Sequence, residues 1–193
     1  MDQGHASPAQ GKEAAPAAER ASPKASSSPN GMAAPALSGA VIVTQATHND
    51  IPDICALYKR VWDEYRGKIP DDLLKAWQPN PLEFTSWMEG VTYFAARRDR
   101  KLVGVMGCSL QDGAVRLVNL AVDPEFRRLG IAQQLVQASL EWARRGSASS
   151  VWVESLSRFD GAISLFQKLG FQACGVLHRH YWREDVTLLE HVL

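Results

Sequence analysis

The sequence has little with which to build a disulfide framework or a metal centre. It holds three cysteines, Cys55, Cys108 and Cys174, and none stands in a CxxC pair. An odd, scattered set argues against a cystine scaffold and against structural zinc, and fits a reduced, cytoplasmic setting. The five histidines show no metal-ligand spacing. His178 and His180 sit two apart on an expected strand and read as solvated or acceptor-facing, so no metal is expected. An excess of one charge is missing too. Lys and Arg number 21, Asp and Glu number 21, and the formal net charge is +0. Composition therefore gives no footprint for nucleic acid or an anionic membrane as partner. No apolar run approaches the ~18 residues of a membrane helix. The amino terminus lacks the apolar stretch of a secretory signal, and Asp2, Glu13 and Glu19 argue against an organelle transit peptide. No internal repeat is visible. Large apolar side chains are nearly absent from residues 1–38, which are rich in Ala, Pro and Ser. Such a segment cannot offset its ordering entropy by burial, so a disordered, dispensable tail is expected there. Residues 39–193 are long enough for one domain with a full core.

What the sequence does hold is concentrated between Val115 and Gly146. Val115 to Val122 is largely apolar on both alternating sets, the pattern of a strand covered on both faces. Asp123-Pro124 stops it. Ala132, Leu135, Val136, Ser139, Leu140 and Ala143 then recur at helical spacing, with Arg144 and Arg145 in the last turn and Gly146 as the stop. Between strand and helix lies Arg127-Arg128-Leu129-Gly130-Ile131-Ala132. Small residues at a helix start expose amides that have no internal partner, and the helix dipole is positive there. This turn can hold a pyrophosphate without metal; the plainer alternative is a helix start with two solvated arginines.

Elsewhere, strands are expected at 40–43, 91–97, 102–110, 150–154, 175–182 and 186–193. Helices are expected at 51–66 and 160–169, with shorter ones at 70–77 and 82–88. Arg98 to Lys101 and Gln111 to Gly113 read as hairpin turns, and Arg183-Glu184-Asp185 as the last.

LAVDPEFRRLGIAQQLV resembles the acetyl-coenzyme A motif of the GCN5-related N-acetyltransferases: Arg or Gln, two residues, Gly, one residue, then Gly or Ala. Arg127, Gly130 and Ala132 match it. The segment Ala162 to Phe171, a short helix ending in Gly170-Phe171, resembles the second hallmark of that family. The likeness covers Val41 to Leu193. It implies an α/β (α+β) fold: a mixed, mostly antiparallel twisted sheet of about seven strands with splayed central strands, flanked by about four helices. It implies acetyl-coenzyme A as cosubstrate, with Leu120, Ala121 and Val122 offering backbone to its pantetheine arm. An amide near Val122 would then face the thioester oxygen. Arg128, Leu129, Gly130, Ile131 and Ala132 would cradle the pyrophosphate by their amides, and Arg127 would be structural or touch phosphate at the edge. The partner would be a primary amine, on a protein amino terminus or a small molecule. Glu154 resembles the glutamate that takes the amine's proton in relatives acting on protein amino termini; its plainer reading is an exposed strand-end carboxylate. The run from His180 to Val186 also looks somewhat like such enzymes, including those acting on a ribosomal protein.

Two positions depart from the family. Phe166 stands where a Tyr commonly acts as general acid, and Phe159 where an Asn often contacts the cofactor. Water or Tyr181 would have to replace the missing acid; an acceptor-lining or packed aromatic is the alternative for Tyr181. The missing acid also keeps a rival open: a module that holds acetyl-coenzyme A with weak or no catalysis and acts through partners. The acceptor's identity and the oligomeric state are not encoded in any readable motif.

Overall fold

The structure is a computed structural model that describes residues 39–193, and the expected tail at residues 1–38 lies outside them. Seven strands form one sheet: β1 (Val41–Gln45), β2 (Thr92–Arg98), β3 (Lys101–Gln111), β4 (Ala114–Val122), β5 (Ser150–Leu156), β6 (Gln172–Tyr181) and β7 (Glu184–Val192). Five helices accompany them: α1 (Ile51–Asp63), α2 (Asp71–Ala76), α3 (Pro81–Met88), α4 (Ile131–Arg145) and α5 (Asp160–Lys168). Both short early helices form, so the described residues carry five helices where the resemblance implied about four. The sheet order is β1-β2-β3-β4-β5-β7-β6. Every neighbouring pair is antiparallel except β4 with β5, which α4 connects in parallel as a crossover must.

The tight turns follow their residues. Asp99 and Arg100, and again Asp112 and Gly113, all have positive φ, as a two-residue turn matched to the strand twist requires. The last hairpin turns at Trp182 and Arg183, both also at positive φ. That is one residue earlier than the spacing suggested, because Glu184 already pairs with Tyr181.

Two apolar layers cover the sheet. On one face, Ile131, Leu135, Val136, Leu140 and Ala143 of α4 pack on Val103, Met106, Val115, Leu117 and Val151. On the other, Ile54, Leu57, Tyr58 and Val61 of α1, with Phe84 of α3, pack on Tyr93, Ala95, Leu102 and Val105. Truncating one of these fully buried leucines to alanine costs about 2–5 kcal/mol. Helix α4 approaches β3 closely at Gly104, where an added Cβ would lie 2.9 Å from Ile131 Cγ2. Asp123, buried to 1%, ties the end of β4 to α1. It accepts from Arg60 Nε and Nη2 at 3.2 and 3.1 Å, and Lys101 Nζ lies 3.5 Å away. Among the described residues no helix is long and apolar enough to cross a membrane.

Candidate active site

The parallel pairing of β4 with β5 stops early. Ala114 to Leu117 face Ser150 to Val153, and beyond them the strands separate. The cause is visible in β4. Its register with β3 jumps from Gly107↔Val118 to Val105↔Ala121, so Asn119 and Leu120 together oppose Met106. Asn119 has φ +57°. A residue in that conformation inside a two-against-one irregularity is a bulge, which bends its strand and increases the local twist. The far end of β4 thus swings away from β5 and opens a fork.

Past the bulge, Asp123 N donates to Val103 O of β3 at 2.9 Å. Backbone amides alternate sides along a strand, so Val122 turns its own amide away from β3, into the fork. Leu120, Ala121 and Val122 line an open groove of about 790 Å³ that continues past Arg127, Ala132 and the α5 start at Asp160 to Ala162. At the head of α4, Gly130 has φ +75° and no atom lies within 4 Å of where a Cβ would stand. No side chain caps this helix, and its first turn carries no acid. Its leading amides are therefore open to an anion.

The turn's side chains divide by role. Arg127 Nη2 pairs with Glu64 Oε2 at 2.5 Å, which joins the turn to the end of α1. Arg128 takes φ +64° and is exposed, as is Leu129. Ile131 is buried in the core, so only its amide is available. Ala132 lines the groove.

The fork's inner end holds the ionisable groups. Glu154 is the first residue of β5 past its last pair with β4. Tyr181 Oη donates to Glu154 Oε1 at 2.6 Å. Arg116 forms an ion pair with the same oxygen, and its Nη2 lies 3.2 Å from Tyr181 Oη. The Arg116 guanidinium sits over the Trp152 ring, 5.2 Å from its centroid. The Glu154 side chain keeps 11% exposure. The structure thus brings Glu154 and Tyr181 into one cluster, though they come from different strands 27 residues apart. It adds a member the sequence reading had left without a role: Arg116, a charge inside an otherwise apolar strand. Buried charges are kept where they are paired, and that signal could have pointed to a carboxylate nearby.

A cavity of about 180 Å³ lies over this cluster. Its walls include Trp62, Trp77, Trp87, Phe159, Phe166 and Leu156. Trp62, Tyr65, Trp77 and Phe159 form a connected aromatic group with centroids 4.5–6.4 Å apart. Phe159 therefore replaces a polar contact by an aromatic wall. Phe166 is buried and meets Phe171 edge-on at 5.3 Å, and it brings no hydroxyl. The aromatic group comes from three separate stretches, around α1, α2 and the start of α5, which is why no local motif announced it.

Thiols do not complete a nucleophile. Burial pushes the Cys108 thiol up to about 11, with Ser139 pulling weakly the other way. Burial and then Glu83 raise Cys55. Among the described residues no three His, Cys, Asp or Glu side chains gather as a metal set.

Comparison with known proteins agrees with this geometry. The acetyltransferase (GNAT) family matches residues 53–171. N-acetyltransferase 8B of Homo sapiens is 32% identical over 105 residues, covering 51% of this chain and 46% of that protein. The chain spans roughly half the length of the curated relatives it matches (46%, 61% and 52% for the first three distinct ones). The crystal structure of the ribosomal-protein-S18-alanine N-acetyltransferase from Escherichia coli shares the fold. Its TM-score is 0.66 at 19% identity, over 79% of this chain and 94% of that one. The PaiA N-acetyltransferase from Thermoplasma acidophilum, solved in complex with coenzyme A, gives 0.65 at 12% identity, over 79% and 99%.

Proposed function

The chain belongs to the acetyltransferase (GNAT) family, and on that premise we propose that it transfers an acetyl group from acetyl-coenzyme A to a primary amine by direct attack on the thioester. The observation that carries the proposal is the fork between β4 and β5, with Glu154 and Tyr181 at its inner end. The residues fit the cosubstrate. The open groove along Leu120 to Val122 suits an extended pantetheine arm, which can pair with exposed strand backbone. The uncapped amides at Gly130 to Ala132 suit a pyrophosphate, and Val122 N suits an oxyanion. Direct attack is favoured over an acetyl-cysteine intermediate, because the Cys108 thiol is buried and held well above neutral pH.

An amine is protonated at neutral pH and must lose a proton before it attacks. Glu154 Oε1 is occupied by Tyr181 and Arg116, which leaves Oε2 to take that proton. The carbon–nitrogen bond forms, the carbon–sulfur bond breaks, and the electron pair leaves on sulfur. Tyr181 gives its proton to the thiolate and recovers from Glu154 the one taken from the ammonium, while the second proton leaves the nitrogen to water as the amide forms. The hydroxyl that Phe166 lacks is thereby supplied from the last hairpin, and Arg116 holds the pair in register.

The acceptor follows from the cavity. An apolar cavity of about 150 Å³ accommodates a benzene ring, and this one is about 180 Å³ with walls that are mostly aliphatic and aromatic together. Glu154 is the one carboxylate among the described residues that line it. An amine on a short apolar or aromatic body fits; a second cationic group has no partner there. Thiol release from acetyl-coenzyme A, with mass spectrometry of the product, tests this on phenethylamine, peptides with an apolar first residue, and spermidine. Turnover with either of the first two above spermidine is expected. Cofactor binding without turnover of any amine would leave the binding module as the correct reading.

A further inference from the structure

The fork depends on one residue held in an unfavourable conformation, and two buried tyrosines hold it. Asn119 sits at φ +57° in the middle of β4. Left-handed backbone is unfavourable for a side-chain-bearing residue, least so for Asn, so something must over-determine it. Tyr58 Oη, from α1, donates to the Asn119 carbonyl at 2.8 Å. Asn119 Nδ2 donates to Tyr93 Oη, from β2, at 3.1 Å. Both tyrosines are 1% exposed. Their rings are fixed by Phe84, which lies 6.0 Å from Tyr58 and 4.7 Å from Tyr93, and Tyr58 also meets Trp87 edge-on. The two hydroxyls therefore have defined positions before Asn119 is added. They reach the bulge from the layer of α1 and β2; Tyr58 and Asn119 also line the cavity over Glu154, and Tyr93 does not.

We propose that Tyr58 and Tyr93, acting through Asn119, are positioning residues that set the opening of the fork for coenzyme A. The proposal rests on the acetyl-coenzyme A reading of the groove. Neither tyrosine is given a proton to move; Tyr58 lines the acceptor cavity and Tyr93 does not. Each fixes one end of the Asn119 peptide or side chain, and thereby the direction in which Leu120 to Val122 leave the bulge. Burial, then Tyr93 and Cys55, raise the Tyr58 phenol, and burial raises Tyr93 despite its bond from Asn119. Both stay protonated at any working pH, so the Tyr58 bond is not a switch.

The bland alternative is that Asn119 merely satisfies two buried hydroxyls. The two readings separate in the full chain by three variants and two readouts. Tyr58→Phe removes one oxygen and keeps the ring; Asn119→Ala removes the amide and its tolerance of positive φ; Asn119→Gly restores that tolerance. A positioning role predicts coenzyme A binding, by calorimetry, weakened about tenfold or more in Tyr58→Phe and Asn119→Ala, and largely regained in Asn119→Gly. It also predicts faster hydrogen exchange at the Ala121 amide in the first two, with the β2–β3 ladder unchanged. Lower melting temperatures with unchanged affinity and unchanged Ala121 exchange would overturn it. Should Asn119→Ala fail to fold, Tyr58→Phe alone decides. Should the wild type bind no coenzyme A, the reading of the groove falls, and the exchange comparison still decides whether the tyrosines hold the bulge.

Discussion

Glu154 and Tyr181 share one hydrogen bond and, in the proposed cycle, one proton. Groups that act as a unit are non-additive when removed. Glu154→Gln and Tyr181→Phe should each lower kcat/KM by about 10²-fold, within the usual span for a positioned acid or base. The double variant should be little worse than either single one. Steady-state kinetics at saturating acetyl-coenzyme A checks this; losses that multiply would separate the two residues into independent roles. The thiols give a second residue-scale expectation. Cys174 is exposed and Cys108 is buried with its thiol near 11. Iodoacetamide at pH 8 should therefore label Cys174 rapidly and Cys108 only on unfolding, which peptide mapping reads directly. Labelling of Cys108 in the folded protein would reopen a covalent route. At this scale the sequence was informative where a residue's chemistry stands by itself: Phe166 cannot donate a proton, whatever its surroundings. It was silent where chemistry depends on register, as for Arg116, whose value lies in meeting a residue from β5 and another from β6.

The strand–turn–helix from β4 to α4 was legible because each part announces itself: an apolar strand, Asp123-Pro124, then helical spacing from Ala132. The bulge at Asn119 was not, because a bulge inserts one residue into a pattern that otherwise alternates normally. At the turn, Gly130→Ala introduces a Cβ into open space but at φ +75°, costing about 1–2 kcal/mol. Gly130→Glu adds bulk and negative charge beside the amides. Calorimetry should show acetyl-coenzyme A bound at least about tenfold more weakly by the Glu variant than by the Ala variant, a gap of about 1.4 kcal/mol. Equal affinities would move the pyrophosphate elsewhere. The last hairpin carries its own pH dependence. The Arg179 amide, at 2.8 Å, and then His178 lower the Asp185 carboxyl below its ordinary value. A depressed acid stabilises the fold above its unfolded pKa and loses that contribution as pH falls through the folded one. The Arg179 amide resonance should therefore titrate with a midpoint under ~3.9; a midpoint at or above it would remove Asp185 from the hairpin's support.

For the molecule as a whole, the chain order of strands and helices was legible, whereas the sheet order and the two layers come from the structure; short hairpins and one parallel crossover leave few topologies. The cavity did not follow, because Trp62, Trp77 and Phe159 meet only after α1, α2 and α5 have packed around the fork. One buried charge connects these layers. Asp123→Ala strips Arg60 and Lys101 of their shared carboxylate at the junction of α1 and β4. Both cations are half-exposed and can return to water, so the loss should be about 1–3 kcal/mol in denaturant unfolding rather than a collapse. The central claim is that acetyl-coenzyme A lies in the fork between β4 and β5 with its pyrophosphate at the head of α4. Hydrogen–deuterium exchange of the full chain, with and without acetyl-coenzyme A, tests it most directly. Protection should appear at Val122 and at Ile131 to Gln133, and leave the β1–β2 ladder unchanged. Binding that leaves those amides unprotected, or protects a different surface, would contradict it.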